Sequence, residues 1–166
     1  MDKVLKLDLR IPPQWARIER VRVAVSTCVS AVFADTDLED ALAMTCAELI
    51  ENAIKYGHPS ADRVQLTLFD RPDHVVVEVV NTPASDASVA ALRSRIEWIA
   101  SFPTAQDAYF AAIAAVSEKP EGDTGSGLGL VRIAYEGGCK LSCELRDELL
   151  VTRADHLFGG PRSTTG

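Results

Sequence analysis

Three polar residues, Glu48, Asn52 and Lys55, stand four and three apart in the stretch Ala47 to Tyr56, which is otherwise apolar but for Glu51 and the Tyr56 hydroxyl, so a helix there presents all three from one face. Each side chain brings its own chemistry. A carboxylate can hold and activate a water or hydroxyl, an amide oxygen can ligate a hydrated magnesium ion, and an ammonium can pair with phosphate. The same spacing also suits a plain solvated helix face, which is what charged residues in helices usually form. A second stretch tips that balance. Thr124-Gly125-Ser126-Gly127-Leu128-Gly129-Leu130 runs into the helical pattern Val131 to Tyr135. Glycines ahead of a helix leave backbone N–H groups open, and the helix start adds partial positive charge, which together favour phosphate. The segment is not a P-loop, since no Gly-Lys-Ser/Thr follows. A Rossmann loop also fails, because Ser117-Glu118-Lys119-Pro120-Glu121 before it cannot form a buried strand.

The Glu-x-x-x-Asn-Ala-x-Lys helix, the downstream glycine-rich segment and a strand hairpin between them resemble the GHKL superfamily of ATP-binding proteins. That superfamily includes histidine kinase ATPase domains, DNA gyrase B, a class of heat-shock chaperones, MutL and the small stand-alone anti-sigma-factor serine kinases. The resemblance is to a whole domain, from about Val4 to Arg153, and is strongest to the anti-sigma type. It implies that Glu48 is the general base, Asn52 the magnesium ligand and Lys55 a phosphate contact. Gly125, Ser126, Gly127, Leu128 and Gly129 take the place of the glycine box that forms the ATP lid and the phosphate-binding helix start. The implied fold class is α+β, a histidine-kinase-like two-layer sandwich with a mixed sheet and its helices on one face. The implied cofactors are ATP and magnesium. The implied function is that of an ATP-binding bacterial regulator, a serine/threonine protein kinase or ATPase acting on a protein partner: a sigma factor, an anti-sigma antagonist or a response regulator. A homodimer is left open.

The sequence departs from the family at the adenine box. There the hairpin strand ends in Asp-x-Gly-x-Gly, whereas this chain has Asn81-Thr82-Pro83-Ala84-Ser85, and no glycine occurs between Gly57 and Gly122. Asn81 can accept a hydrogen bond from the adenine amino group only as a neutral group, and charge-assisted bonds are roughly twice as strong. Before the last strand, where the family often shows Gly-Thr, stands Asp147-Glu148-Leu149. Two readings follow: a nucleotide-dependent kinase or ATPase, and an interaction module that keeps the fold with weak or lost nucleotide binding. A separated half of a two-component kinase would need a partner chain carrying the phospho-accepting histidine.

Length and composition set the frame for these elements. A chain of 166 residues suits one well-buried domain, taken as residues 1–155 with 156–166 an unstructured tail. A net charge of -7 argues against a nucleic-acid surface. No apolar stretch approaches twenty residues, so no membrane span is expected and the chain reads as cytoplasmic. Cys28, Cys46, Cys139 and Cys143 lack zinc or redox spacing and read as small buried thiols. None of the three histidines lies in an amphipathic helical hairpin of the phospho-accepting kind.

The elements that must position the chemistry follow from periodicity. Leu5, Leu7, Leu9 and Ile11 alternate with charges, predicting a first strand ended by Pro12-Pro13. Trp15, Ile18, Val21, Val25, Cys28, Val29 and Val32 predict a helix over 14–34. Thr36 with Glu39 reads as a capping box that starts the central helix, whose core stripe is Leu42, Cys46, Leu49 and Ala53. Val64 to Leu68 and Val75 to Val79 predict a hairpin delivering Asn81 to its end. Two helices follow, over 85–101 and 104–117, the second with an apolar stripe of Tyr109, Phe110, Ile113 and Val116. A charged, glycine-rich linker is expected over 118–127 and two closing strands over 139–153.

Overall fold

A computed structural model describes residues 4–118 and 127–157 of the chain. The expected linker, with Gly125 and Ser126, and most of the expected tail lie outside the described residues. The strands are β1 (Lys6–Ile11), β2 (Val64–Asp70), β3 (His74–Asn81), β4 (Cys139–Arg146) and β5 (Leu149–Leu157). The helices are α1 (Ile18–Phe33), α2 (Thr36–Lys55), α3 (Asp86–Ala100), α4 (Ala105–Ser117) and α5 (Leu128–Tyr135). The sheet order is β1-β2-β3-β5-β4. All four pairings are antiparallel, where a mixed sheet was expected. The difference is one of connection: β2 to β3 and β4 to β5 are hairpins, and the helical crossover from β3 to β4 brings the chain back in the direction of β3 but with β5 between them, so no two neighbouring strands are parallel. The fold class is α+β, as expected, in two layers.

Alternation builds the inner face of the sheet. Leu66 pairs with Val79 and Leu68 with Val77, Ala154 sits opposite Val77, and these side chains are fully buried. The other face carries ion pairs, Arg153 Nε to Asp155 Oδ1 at 2.9 Å and Arg146 Nη1 to Glu78 Oε1 at 3.8 Å. The inner face packs on α2, whose stripe Leu42, Cys46, Leu49 and Ala53 is buried as its spacing predicts. Burial makes Cys46 a poor acid and lifts Cys139 to about 11, so both are inert core thiols in a single hydrophobic cluster.

Several sequence expectations need correction. Trp15 belongs to a short 3-10 turn, Trp15–Arg17, and is 59% exposed rather than core, because Pro12-Pro13 delays the start of α1 to Ile18. Asp35, not Thr36, caps α2: it is extended at φ -129°, and its carboxylate accepts from the Leu38 N–H at 3.1 Å. Glu39 is not part of a capping box, since its carboxylate accepts from Ser26 Oγ of α1 instead. In α4 the buried positions are Ala108 and Ala112, while Phe110 is 56% exposed and Ile113 is also exposed. Small residues win the core face there because they let α4 approach α5 closely. β5 continues through Leu157, so His156 is a strand residue bonded to the Gly137 carbonyl rather than part of a tail.

Candidate functional site

α2 and α5 meet at the residues singled out from the sequence. Glu48 Oε1 accepts from Arg132 Nη1 at 2.7 Å, and Arg132 Nε also donates to Glu136 Oε2 at 3.2 Å. The Glu48 carboxylate lies against the Cα of Gly129; a Cβ there would stand 2.4 Å from Glu48 Oε2. Gly129 thus leaves room for the Glu48 carboxylate against α5, which a side chain there would push aside. Burial pushes the Glu48 pKa up, the charges of Glu51 and Glu136 add to the rise, and Arg132 opposes it. Arg132 does not win, because it is shared with Glu136 and part of it is in water.

Between α2, α3, α4 and the start of α5 opens a cavity of about 780 Å³, within the usual size of small-ligand sites. Glu48, Asn52, Lys55, Gly127 and Gly129 all line it, with Trp15 and Tyr56 at its apolar parts. The face read from four-and-three spacing is therefore turned into a cavity. The Asn52 Nδ2 is buried without a hydrogen-bond partner. Such an orphan costs of the order of 1–3 kcal/mol unless a ligand or water satisfies it. Lys55 is exposed, with its Nζ 5.2 Å from the Tyr56 ring centroid. Gly127 caps α5 in the left-handed region at φ 60°, and Leu128 begins the helix.

Asn81 is not brought into this cavity. It is buried at the end of β3 and lines a separate space of about 210 Å³. Its Nδ2 faces the carbonyls of Ala53 at 3.5 Å and Thr82 at 3.3 Å. Residues Thr82 to Ala84 are tied to the end of α2: the His58 N–H bonds the Thr82 carbonyl at 2.8 Å, and the Ala84 N–H bonds the Tyr56 carbonyl at 3.0 Å. Gly57 follows the end of α2, where a Cβ would fall 2.3 Å from the carbonyl oxygen of Ala53 in the last turn of that helix.

Arg95 of α3 was missed by sequence reasoning. Its guanidinium lies 4.3 Å from the Trp98 ring centroid, its Nη2 donates to the Gly127 carbonyl at 2.9 Å, and its Nε is buried without a partner. Burial lowers its pKa. The only signal in the sequence is Arg95 three residues before Trp98, a spacing at which a cation can cover a ring.

Among the described residues no group of three or more His, Cys, Asp or Glu is arranged to hold a metal, and no helix is long and apolar enough to cross a membrane. No protein-family model matches the chain, and no curated protein matches it. Among solved structures, a chain from the crystal structure of the SiaB-SiaC complex of Pseudomonas aeruginosa is similar, with a TM-score of 0.66 at 20% identity. The match covers 92% of this chain and 89% of that one, so the likeness extends over the whole fold.

Proposed function

We propose that the cavity takes the phosphates of Mg-ATP and that the protein is a nucleotide-dependent regulator of a protein partner, a serine/threonine kinase or ATPase of the anti-sigma type. One observation carries this reading: the orphaned Asn52 Nδ2 and the Lys55 side chain, both from one face of α2, line one cavity. A solvated helix face would leave that amide in water. Asn52 suits a magnesium ion through its amide oxygen, and the ion when bound would neutralise charge developing on the phosphate. Glu48 would orient a nucleophile and take its proton, a role supported by the burial that moves its pKa toward the range where a carboxylate base is effective at neutral pH. Gly129 gives that carboxylate room, and Arg132 holds it in place. Likeness to a chain from a two-protein complex supports a protein partner.

The second reading, an interaction module with weak nucleotide binding, is favoured by Asn81, which lines the other space and faces backbone carbonyls. Two variants separate the readings. Under the kinase or ATPase reading, Glu48→Ala keeps Mg-ATP affinity and loses roughly 10²–10⁴-fold in turnover. Asn52→Ala weakens Mg-ATP more than metal-free ATP. Equal losses of binding in both variants contradict the assigned roles, and no change in binding or turnover in either supports the interaction module.

A further inference from the structure

The cavity contains a cation that the family resemblance does not assign. Arg95 comes from α3, between the hairpin and the glycine-rich segment, in a helix outside the motifs discussed above. Its guanidinium is held on two sides: Trp98 covers its plane at 4.3 Å, and the Gly127 carbonyl accepts from Nη2 at 2.9 Å. Neither contact neutralises it. Among the described residues no carboxylate pairs with Arg95, and its Nε is buried without a partner. A partly desolvated guanidinium that lacks a counter-ion is costly, and its N–H groups match phosphate oxygens in a fork that Lys cannot reproduce. Across the same cavity stand Lys55 and the unpartnered Nδ2 of Asn52, both donors. The two acids of the cavity wall come from α2, where Glu48 is already engaged by Arg132.

We propose that Arg95 is a phosphate-binding residue of this cavity, its guanidinium taking a phosphate of a polyphosphate ligand while Nη2 keeps the start of α5 in place through Gly127. The inference rests on the phosphate reading of the cavity but not on its adenine specificity. Because the bond to Gly127 reaches the first residue before α5, the same guanidinium ties ligand and glycine-rich helix start together. Gly127 needs no side chain here; a Cβ would lie 3.3 Å from Arg95 Nη2.

The test is a calorimetric titration of the full chain with inorganic tripolyphosphate, Mg-ATP, Mg-ADP and AMP, on the unmodified protein, Arg95→Ala and Arg95→Lys. Thermal melts without ligand report whether each variant is folded. Arg95→Ala is expected to lose at least tenfold in affinity for tripolyphosphate and Mg-ATP, with a smaller loss for AMP, and Arg95→Lys to lie between. A residue that only held Gly127 would shift all ligands alike, and that pattern overturns the proposal. Mg-ATP binding unchanged in Arg95→Ala overturns it too, while leaving the proposed function standing. Arg95-dependent tripolyphosphate binding with no preference for Mg-ATP upholds the proposal and defeats the ATP reading. If the unmodified protein takes none of the four, both fall. Should Arg95→Ala fail to fold, Arg95→Lys carries the comparison, with a loss for tripolyphosphate exceeding that for AMP as the supporting result and equal losses as the overturning one.

Discussion

Gly129→Ala tests the contact between α2 and α5 through a change of sign. In an isolated helix the substitution would stabilise, by about 0.5 kcal/mol near a helix start. Here the new Cβ would stand 2.4 Å from Glu48 Oε2, so the carboxylate has to swing away. That movement breaks its 2.7 Å bond to Arg132, whose side chain is 40% exposed; with that exposure the charge-assisted bond is worth about 1 kcal/mol rather than the buried value. Displacing the Glu48 side chain from its rotamer adds about 1 kcal/mol. Gly129→Ala alone should therefore destabilise by about 1.5 kcal/mol. In a Glu48→Ala background nothing remains to collide with, and the same change should stabilise by about 0.5 kcal/mol, a coupling of about 2 kcal/mol. Urea unfolding of the four proteins in the cycle gives both numbers. An equal effect of Gly129→Ala in the two backgrounds would refute the contact.

Three further outcomes are expected. Glu48 has a pKa raised above its ordinary 4.5 chiefly by burial, so its contribution to stability is present below that value and is lost as pH rises through the folded pKa; unfolding measured from pH 4 to 8 should show Glu48→Gln gaining on the unmodified protein over that rise and running parallel above it. Asp147 and Glu148 turn β4 into β5 with positive φ at both positions, 50° and 66°, so Glu148→Gly should raise stability by about 1 kcal/mol in denaturant titration, and a loss would contradict the turn. Ala112 is buried and Phe110 exposed in α4, so Ala112→Leu should destabilise by about 1–3 kcal/mol and Phe110→Ala by less than about 0.5, the reverse of what the apolar stripe read from sequence implies.

The legible parts of this chain are those where periodicity and side-chain size agree. β2 alternates large apolar residues with polar ones, Val75, Val77 and Val79 of β3 keep the same period, and α2 repeats Leu42, Cys46, Leu49 and Ala53 beneath a polar face, so both were readable with the face that matters. In α4 they disagree: alanines stand on several faces, and the largest apolar residues, Phe110 and Ile113, are not the ones that fit against α5. The cap of α2 was obscured by the run Asp35-Thr36-Asp37, in which each residue can cap, and by Glu39 being drawn to Ser26 of another helix. Asn81 was placed correctly at a strand end, but that its amide turns to the carbonyls of Ala53 and Thr82 and lines a space apart from that of Asn52 is a packing outcome that no motif announces. Arg95 could not be told from a solvated arginine until its Nε proved to be buried in the cavity wall.

Binding of Mg-ATP in the cavity beside Asn52 is tested by isothermal titration of the unmodified protein with ATP, with and without magnesium. Saturable binding is expected that tightens when magnesium is present and weakens when Asn52 is replaced by Ala. Absence of binding at about 1 mM nucleotide, equivalent to less than about 4 kcal/mol of affinity, would contradict it.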